Sequence, residues 1–239
     1  MSTIWIIAKR EINSFFDSLI AYILLIVFLG FTGFFTWLNG NGDIFFRKQA
    51  DLNVFFSVAM WTLLIFIPAI TMRLLAEERK SGTIELLLTK AVTNWQVVLG
   101  KFLAALSLVG IALLFTLIYY ITVSRMGNFD HGASISGYLG LILMSMAYIS
   151  IGLFASSLTN NQIVAFLLAL IISICFHFIF GILGQGTSGW LGELFNTLSL
   201  GNHFNSIIRG VIDSKDIIYF LSITGFGLLL SEMMLNNRK

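Results

Sequence analysis

Six uninterrupted apolar runs, at about residues 19–38, 52–72, 102–124, 137–158, 163–184 and 217–235, constrain this chain more than any other feature. Each is long enough to cross a hydrocarbon core, which takes about 20 helical residues. Apolar residues make up 57% of the chain and charged residues 11%, with a mean hydropathy of +0.91, so there is too little polar surface for a water-soluble fold of this length. The runs are continuous rather than alternating, and in lipid a backbone must satisfy its own hydrogen bonds, so they predict helices and not barrel strands. The expected fold is all-α: a polytopic membrane protein with six transmembrane helices.

The charged residues are placed unevenly. Between Arg73 and Lys101 the chain reads RLLAEERKSGTIELLLTKAVTNWQVVLGK and carries eight of the 26 charges. An even number of spans puts both termini and this stretch on one side. That side holds nine Lys and Arg residues, against Arg47, Lys48, Arg125, Arg209 and Lys215 opposite, so the positive-inside rule predicts cytoplasmic termini and a cytoplasmic 73–101 stretch. The net charge of +2 gives no footprint for nucleic acid. The single cysteine, Cys175, lies within an apolar run and carries no disulfide, redox or metal signal.

Ahead of the first run, residues 3–17 place Ile4, Trp5, Ala8, Ile12, Phe15 and Phe16 on one helical face and Lys9, Arg10, Asn13 and Asp17 on another. This predicts an interfacial helix along the cytoplasmic leaflet. The alternative is the end of one long first helix. The first run ends in FFTWLNGNG without a small-residue cleavage site, so it is expected to remain as an anchor. With no repeat and no linker rich in Pro or Gly, residues 1–239 are expected to form one domain.

Within the polar stretch, the second span is expected to run on past Arg73, which reaches back to the interface, to Glu77 and Glu78. Ser81-Gly82 then breaks the helix, and Thr83 caps a short new one holding Ile84, Glu85, Leu86, Leu87 and Leu88. The other reading is a solvated loop whose leucines rest on the bilayer.

The string MRLLAEERKSGTIELLLTKAVTNWQVVLGKF resembles the signature of ABC-2-type transporter permeases, and HFNSIIRGVIDSKDIIYFLS before the last span resembles a second segment of that family. The resemblance implies a permease subunit with a cytoplasmic coupling helix between spans two and three. Glu77, Glu78, Gly82, Thr83, Glu85, Leu86 and Leu87 would then engage a separate ABC ATPase. It also implies a second permease chain, identical or related, and a place in the bacterial inner membrane. The chain has no GxxxxGK[ST] phosphate loop, so ATP and Mg are expected on the partner, with no cofactor here and no enzyme activity of its own. Ala91 stands where the family often has proline, leaving the turn after the segment less rigid. Within the family, the Phe- and Asn-rich composition and the wording ELLLTK-x₄-WQVVLGKF are most similar to the gliding-motility permeases of Bacteroidetes. A rival output is envelope-machine assembly driven by the same ATPase, without solute transport. A membrane-embedded enzyme would need paired Asp, HExxH or a Ser/Lys constellation in the spans, and none is present.

Two residues within spans are candidates for a gate or pathway. Pro68 is expected to break span two at FIPAIT, as a hinge or as a static bend. His177 lies mid-span, where an ionisable residue marks a functional site by default, although a neutral histidine bonded to a neighbouring carbonyl is the simpler expectation. The SSLTNNQ link at 156–162 is either a second cytoplasmic contact or a tight helix connection. On the other side, Leu191, Leu194, Phe195 and Leu198, then Phe204, Ile207, Ile208 and Val211, predict two short amphipathic helices divided at Gly201-Asn202. His203 and Asp213 resemble family positions, but without metal-ligand spacing. Glu232 is expected at the interface or paired with Arg238.

Overall fold

The computed structural model describes residues 3–38, 44, 50–82 and 92–236. Among these residues the regular structure is entirely helical: α1 (Thr3–Asp17), α2 (Leu19–Trp37), α3 (Asn53–Lys80), α4 (Asn94–Ser124), α5 (His131–Leu158), α6 (Gln162–Ile174), α7 (Phe180–Gly186), α8 (Trp190–Leu198), α9 (Leu200–Ile208) and α10 (Ser214–Asn236). A π-helical turn, Cys175–Ile179, joins α6 to α7, and the three together form one span. Among the described residues, six helices are long and apolar enough to cross a membrane, as the hydropathy predicts.

Extended backbone at Ser18 (φ −104°, ψ 149°) separates α1 from α2, so the N-terminal segment is a helix of its own and not the end of a longer one. Its buried face is the predicted one with two changes: Ala8 and Phe15 are buried and Ile4, Ile12 and Phe16 half-buried, but Ile7 packs inward as well and Trp5 is exposed. The reason is α4: a Cβ on Gly100 would come within 2.7 Å of the Ile7 side chain, so the missing side chain lets α1 lie close against that helix.

Helices α3 and α4 are the long ones. At 28 and 31 residues they reach about 42 and 46 Å, beyond a hydrocarbon core of about 30 Å. α4 starts eight residues before the predicted third span because Thr93 and Gln96 form a capping box, each side chain satisfying the other's backbone N–H. α3 runs on past Arg73 as expected and stops at Ser81-Gly82, where Gly82 takes a left-handed conformation (φ 69°). Pro68 does not break it. The helix is continuous through FIPAIT, and the Thr71 hydroxyl donates to the Ile67 carbonyl beside the proline at 2.9 Å.

α5 is the axis of the bundle and the most buried span, packed against α10, α3, α6, α9 and α4. Small residues make that possible, since close backbone approach replaces the hydrophobic drive that water would supply. At Gly152, for example, any Cβ would meet the Thr71 hydroxyl of α3 at 2.1 Å. Buried hydroxyls along α5, such as Ser145 and Ser157, bond back to carbonyls of their own helix and leave no orphan.

The expected hairpin is present, but its break is at Ser199 and not at Gly201-Asn202. Ser199 caps α9 by accepting from the Asn202 N–H, which draws Gly201 into the helix. Phe204 and Ile207 are buried as predicted, whereas Val211 lies beyond α9 and is exposed. The 156–162 link is a tight connection: α5 ends at Leu158 and Asn161 caps α6 by accepting from the Ile163 N–H.

Candidate functional site

The break between α3 and α4 is bracketed by charge. Glu78 lies in the last turn of α3, two residues before its end, and Lys101 lies two turns into α4. Lys101 is fully buried. An unpaired ammonium there would be prohibitive, and the structure pairs it twice: Nζ lies 2.9 Å from Glu78 Oε2 and 3.2 Å from Glu11 Oε1 of α1. Arg10 closes the ring from the surface, with Nη2 at 2.7 Å from Glu11 and 2.9 Å from Glu78. Two cations and two carboxylates thus join three helices in one neutral network. Burial works against the Glu11 carboxylate, but Lys101 and then Arg10 outweigh it and hold Glu11 below the ordinary glutamate range. The Arg10 guanidinium is desolvated too, and its two carboxylates keep it above its ordinary value.

The same end of α3 is fixed on its other flank. Arg79 donates to the Ser157 carbonyl of α5 and, at 3.2 Å, to the Met234 carbonyl of α10. One turn earlier, the Ser156 hydroxyl accepts from the Leu75 and Ala76 N–H groups at 3.1 and 3.0 Å and donates to the Met72 carbonyl at 3.0 Å. A side chain of α5 is therefore inserted against the backbone of α3. Arg73, expected at the interface, places its guanidinium 4.8 Å from the centre of the Phe15 ring of α1.

These contacts sort the residues expected to couple to a partner. Glu77 is exposed, Glu78 turns inward to the network, and Gly82 is the exposed end of α3. Thr83, Glu85, Leu86 and Leu87 lie outside the described residues, as does Arg238, the expected partner of Glu232. The sequence reading passed over Glu11 and used Lys101 only as the end of the charged stretch. A signal was there. Glu11 lies four residues from both Ile7 and Phe15, so it falls in the middle of the stripe that packs inward.

Of the two candidates within spans, Pro68 is buried in a continuous α3. His177 is in the π turn and almost fully buried. Its partner is not the expected carbonyl: Nδ1 is 2.7 Å from the Tyr148 hydroxyl of α5, and the indole of Trp61 meets the ring edge-on at 5.5 Å. Beyond Trp61 opens an apolar groove of about 670 Å³ between α2, α3 and α6, walled by Phe31, Trp61, Ile65 and Phe178. Among the described residues, no cluster of His, Cys, Asp or Glu is arranged to hold a metal ion.

Residues 5–231 match the family model described as ABC-2 family transporter protein. A comparison with curated proteins gives no match.

Proposed function

We propose, for a chain that belongs to the ABC-2 transporter family, that the segment between α3 and α4 is where a separate ATPase grips the membrane bundle. The family comprises membrane permease subunits of ABC transporters that associate with an ABC ATPase, so this is a multi-pass membrane protein whose work is driven from outside its own chain. ATP and Mg belong on that partner, where they supply the chemistry. This chain's sequence has no GxxxxGK[ST] phosphate loop.

One observation carries the reading: both arms of the segment are clamped into the same buried network. A displacement applied between Gly82 and Thr93 acts on Glu78 and Lys101 together, and through them on α1. Arg79 and Ser156 pass the load from α3 to α5 and α10. A flexible loop would absorb such a pull. Anchored helix ends transmit it to the packed spans, which shift between discrete arrangements instead of deforming continuously. Glu77 and Gly82, exposed beside the network, and Thr83, Glu85, Leu86 and Leu87 beyond it form the proposed ATPase contact. Replacing Glu85→Lys together with Leu87→Asp abolishes co-purification of the ATPase while membrane insertion is retained. Unchanged recovery of the ATPase overturns the assignment.

Further features support the finer reading. The distribution of Lys and Arg favours cytoplasmic termini, and the likeness to bacterial permeases of the family supports the inner membrane. The half-exposed Trp61 and Phe178 on the apolar groove suit a second permease chain, identical or related, with lipid over the remaining apolar faces. The likeness to gliding-motility permeases supports a role in that machinery, with solute transport as the output and envelope assembly as its rival. In proteoliposomes, stimulation of the ATPase by a purified solute or lipid marks transport, whereas stimulation solely by another envelope protein marks assembly.

A further inference from the structure

At the end of the bundle opposite the charged network, His203 of α9 has both ring nitrogens in hydrogen bonds. Nδ1 is 2.6 Å from Asp216 Oδ1 of α10, and Nε2 is 3.0 Å from the Thr197 carbonyl at the end of α8. A carbonyl can only accept, so Nε2 must carry a proton. A second proton must lie between Nδ1 and Oδ1, because two lone pairs cannot face each other at that distance. Asp216 is in the first turn of α10, where the free N–H groups of a helix start favour a carboxylate. That places the second proton on the imidazole.

We propose that His203 and Asp216 form a proton-dependent clasp that locks the α8–α9 hairpin onto α10. The protonated ring joins three elements at once. Tyr219 reinforces it, stacking on His203 at 4.0 Å between ring centres and donating from its hydroxyl to the Leu198 carbonyl at 2.5 Å. The clasp also reaches the π turn. The Ser199 hydroxyl donates to the His177 carbonyl at 3.4 Å, and Gly201 lies so close that a Cβ would come within 2.8 Å of that oxygen.

The ionisable groups facing His203 are few. α10 presents Asp216 and Tyr219, α8 presents a carbonyl while its Glu193 is exposed, and the π turn presents His177 behind Gly201. α5 meets α9 with Ser136, which donates to the Ile207 carbonyl. Asp216 is itself buried, and its second oxygen, Oδ2, has no hydrogen-bond partner among the described residues. When the ring loses its second proton, the carboxylate loses its one side-chain donor among the described residues and faces the bare Nδ1 lone pair. The clasp is therefore closed while the imidazole is protonated and opens as pH rises. It stands whether or not the segment after α3 docks an ATPase.

Hydrogen exchange of the full chain in lipid nanodiscs tests this, with protection corrected for the intrinsic pH dependence of exchange. Amides of 196–208 in the wild type lose about tenfold in protection between about pH 6 and about pH 10. Asp216→Asn separates the proton from the contact. Its amide donates to the Nδ1 of a neutral ring while Nε2–H still serves Thr197, so protection stays high and flat across the range. His203→Gln gives protection that is low and flat. A flat wild-type profile overturns the proposal, as does an Asp216→Asn profile that falls like the wild type or is low throughout.

Discussion

The two ends of this bundle are held by charged groups of different kinds. At the α3–α4 end, Arg10, Glu11, Glu78 and Lys101 are spread over three helices so that each carboxylate meets both cations. At the other end, one imidazole and one carboxylate hold the hairpin through a single shared proton. The ends lie about 27 Å apart along α10, from Asp216 to Met234, at 1.5 Å per residue. The difference shows what each joint suits. A redundant network of four charged groups keeps its geometry under load, which a force-bearing connection requires. A one-proton contact is either made or unmade, which suits a part that opens.

The comparison is broken most directly at Lys101. Lys101→Met takes the buried cation away from the part-buried Glu11 and Glu78 and is expected to cost about 3 kcal/mol, read as a lowered thermal midpoint in detergent. Adding Glu11→Gln and Glu78→Gln recovers most of that loss, because no buried charge is then left uncompensated. If the triple variant is as unstable as the single one, packing and not charge explains the effect. Next in size is Ser156→Ala, which strips one hydroxyl from three backbone groups of α3 and is expected to cost about 1–3 kcal/mol by the same measurement. Tyr219→Phe keeps the stack on His203 but deletes the bond to the Leu198 carbonyl, a loss of about 1 kcal/mol that appears as faster exchange confined to the hairpin.

The gentlest test is acid. Glu11 is held below its ordinary range, so its contribution is complete at neutral pH and is lost only as pH falls through that lowered value. Protection of α1 amides should therefore hold down to that point and then decline. The His203 clasp should fail in the opposite direction, on raising the pH. If both ends loosened on the same side of neutrality, the contrast between a four-charge and a protonic joint would be lost.

Most of the scaffold was legible in the sequence. Hydropathy located six spans, periodicity located α1 and the hairpin, and Ser81-Gly82 marked the end of α3, because each of these is decided by residues a few positions apart. Three readings fell short for one reason. The inward face of α1 lacked Ile7 because it is Gly100, on another helix, that admits it. Pro68 looked like a break because nothing in its own window shows a helix packed firmly enough to remain continuous. The hairpin was divided at its glycine because the Ser199 cap draws Gly201 into α9.

The candidate site was half legible. The sequence by itself determined that a polar segment interrupts an apolar chain, and the wording of that segment pointed to the family. It did not determine which charges matter. Glu11, Glu78 and Lys101 are separated by 67 and 23 positions, and His203 and Asp216 lie on different helices, so no periodicity links them. Only tertiary packing brings them within hydrogen-bond distance. Partitioning into lipid is a property each segment carries alone, whereas the pairing of a buried charge depends on what the rest of the fold places beside it.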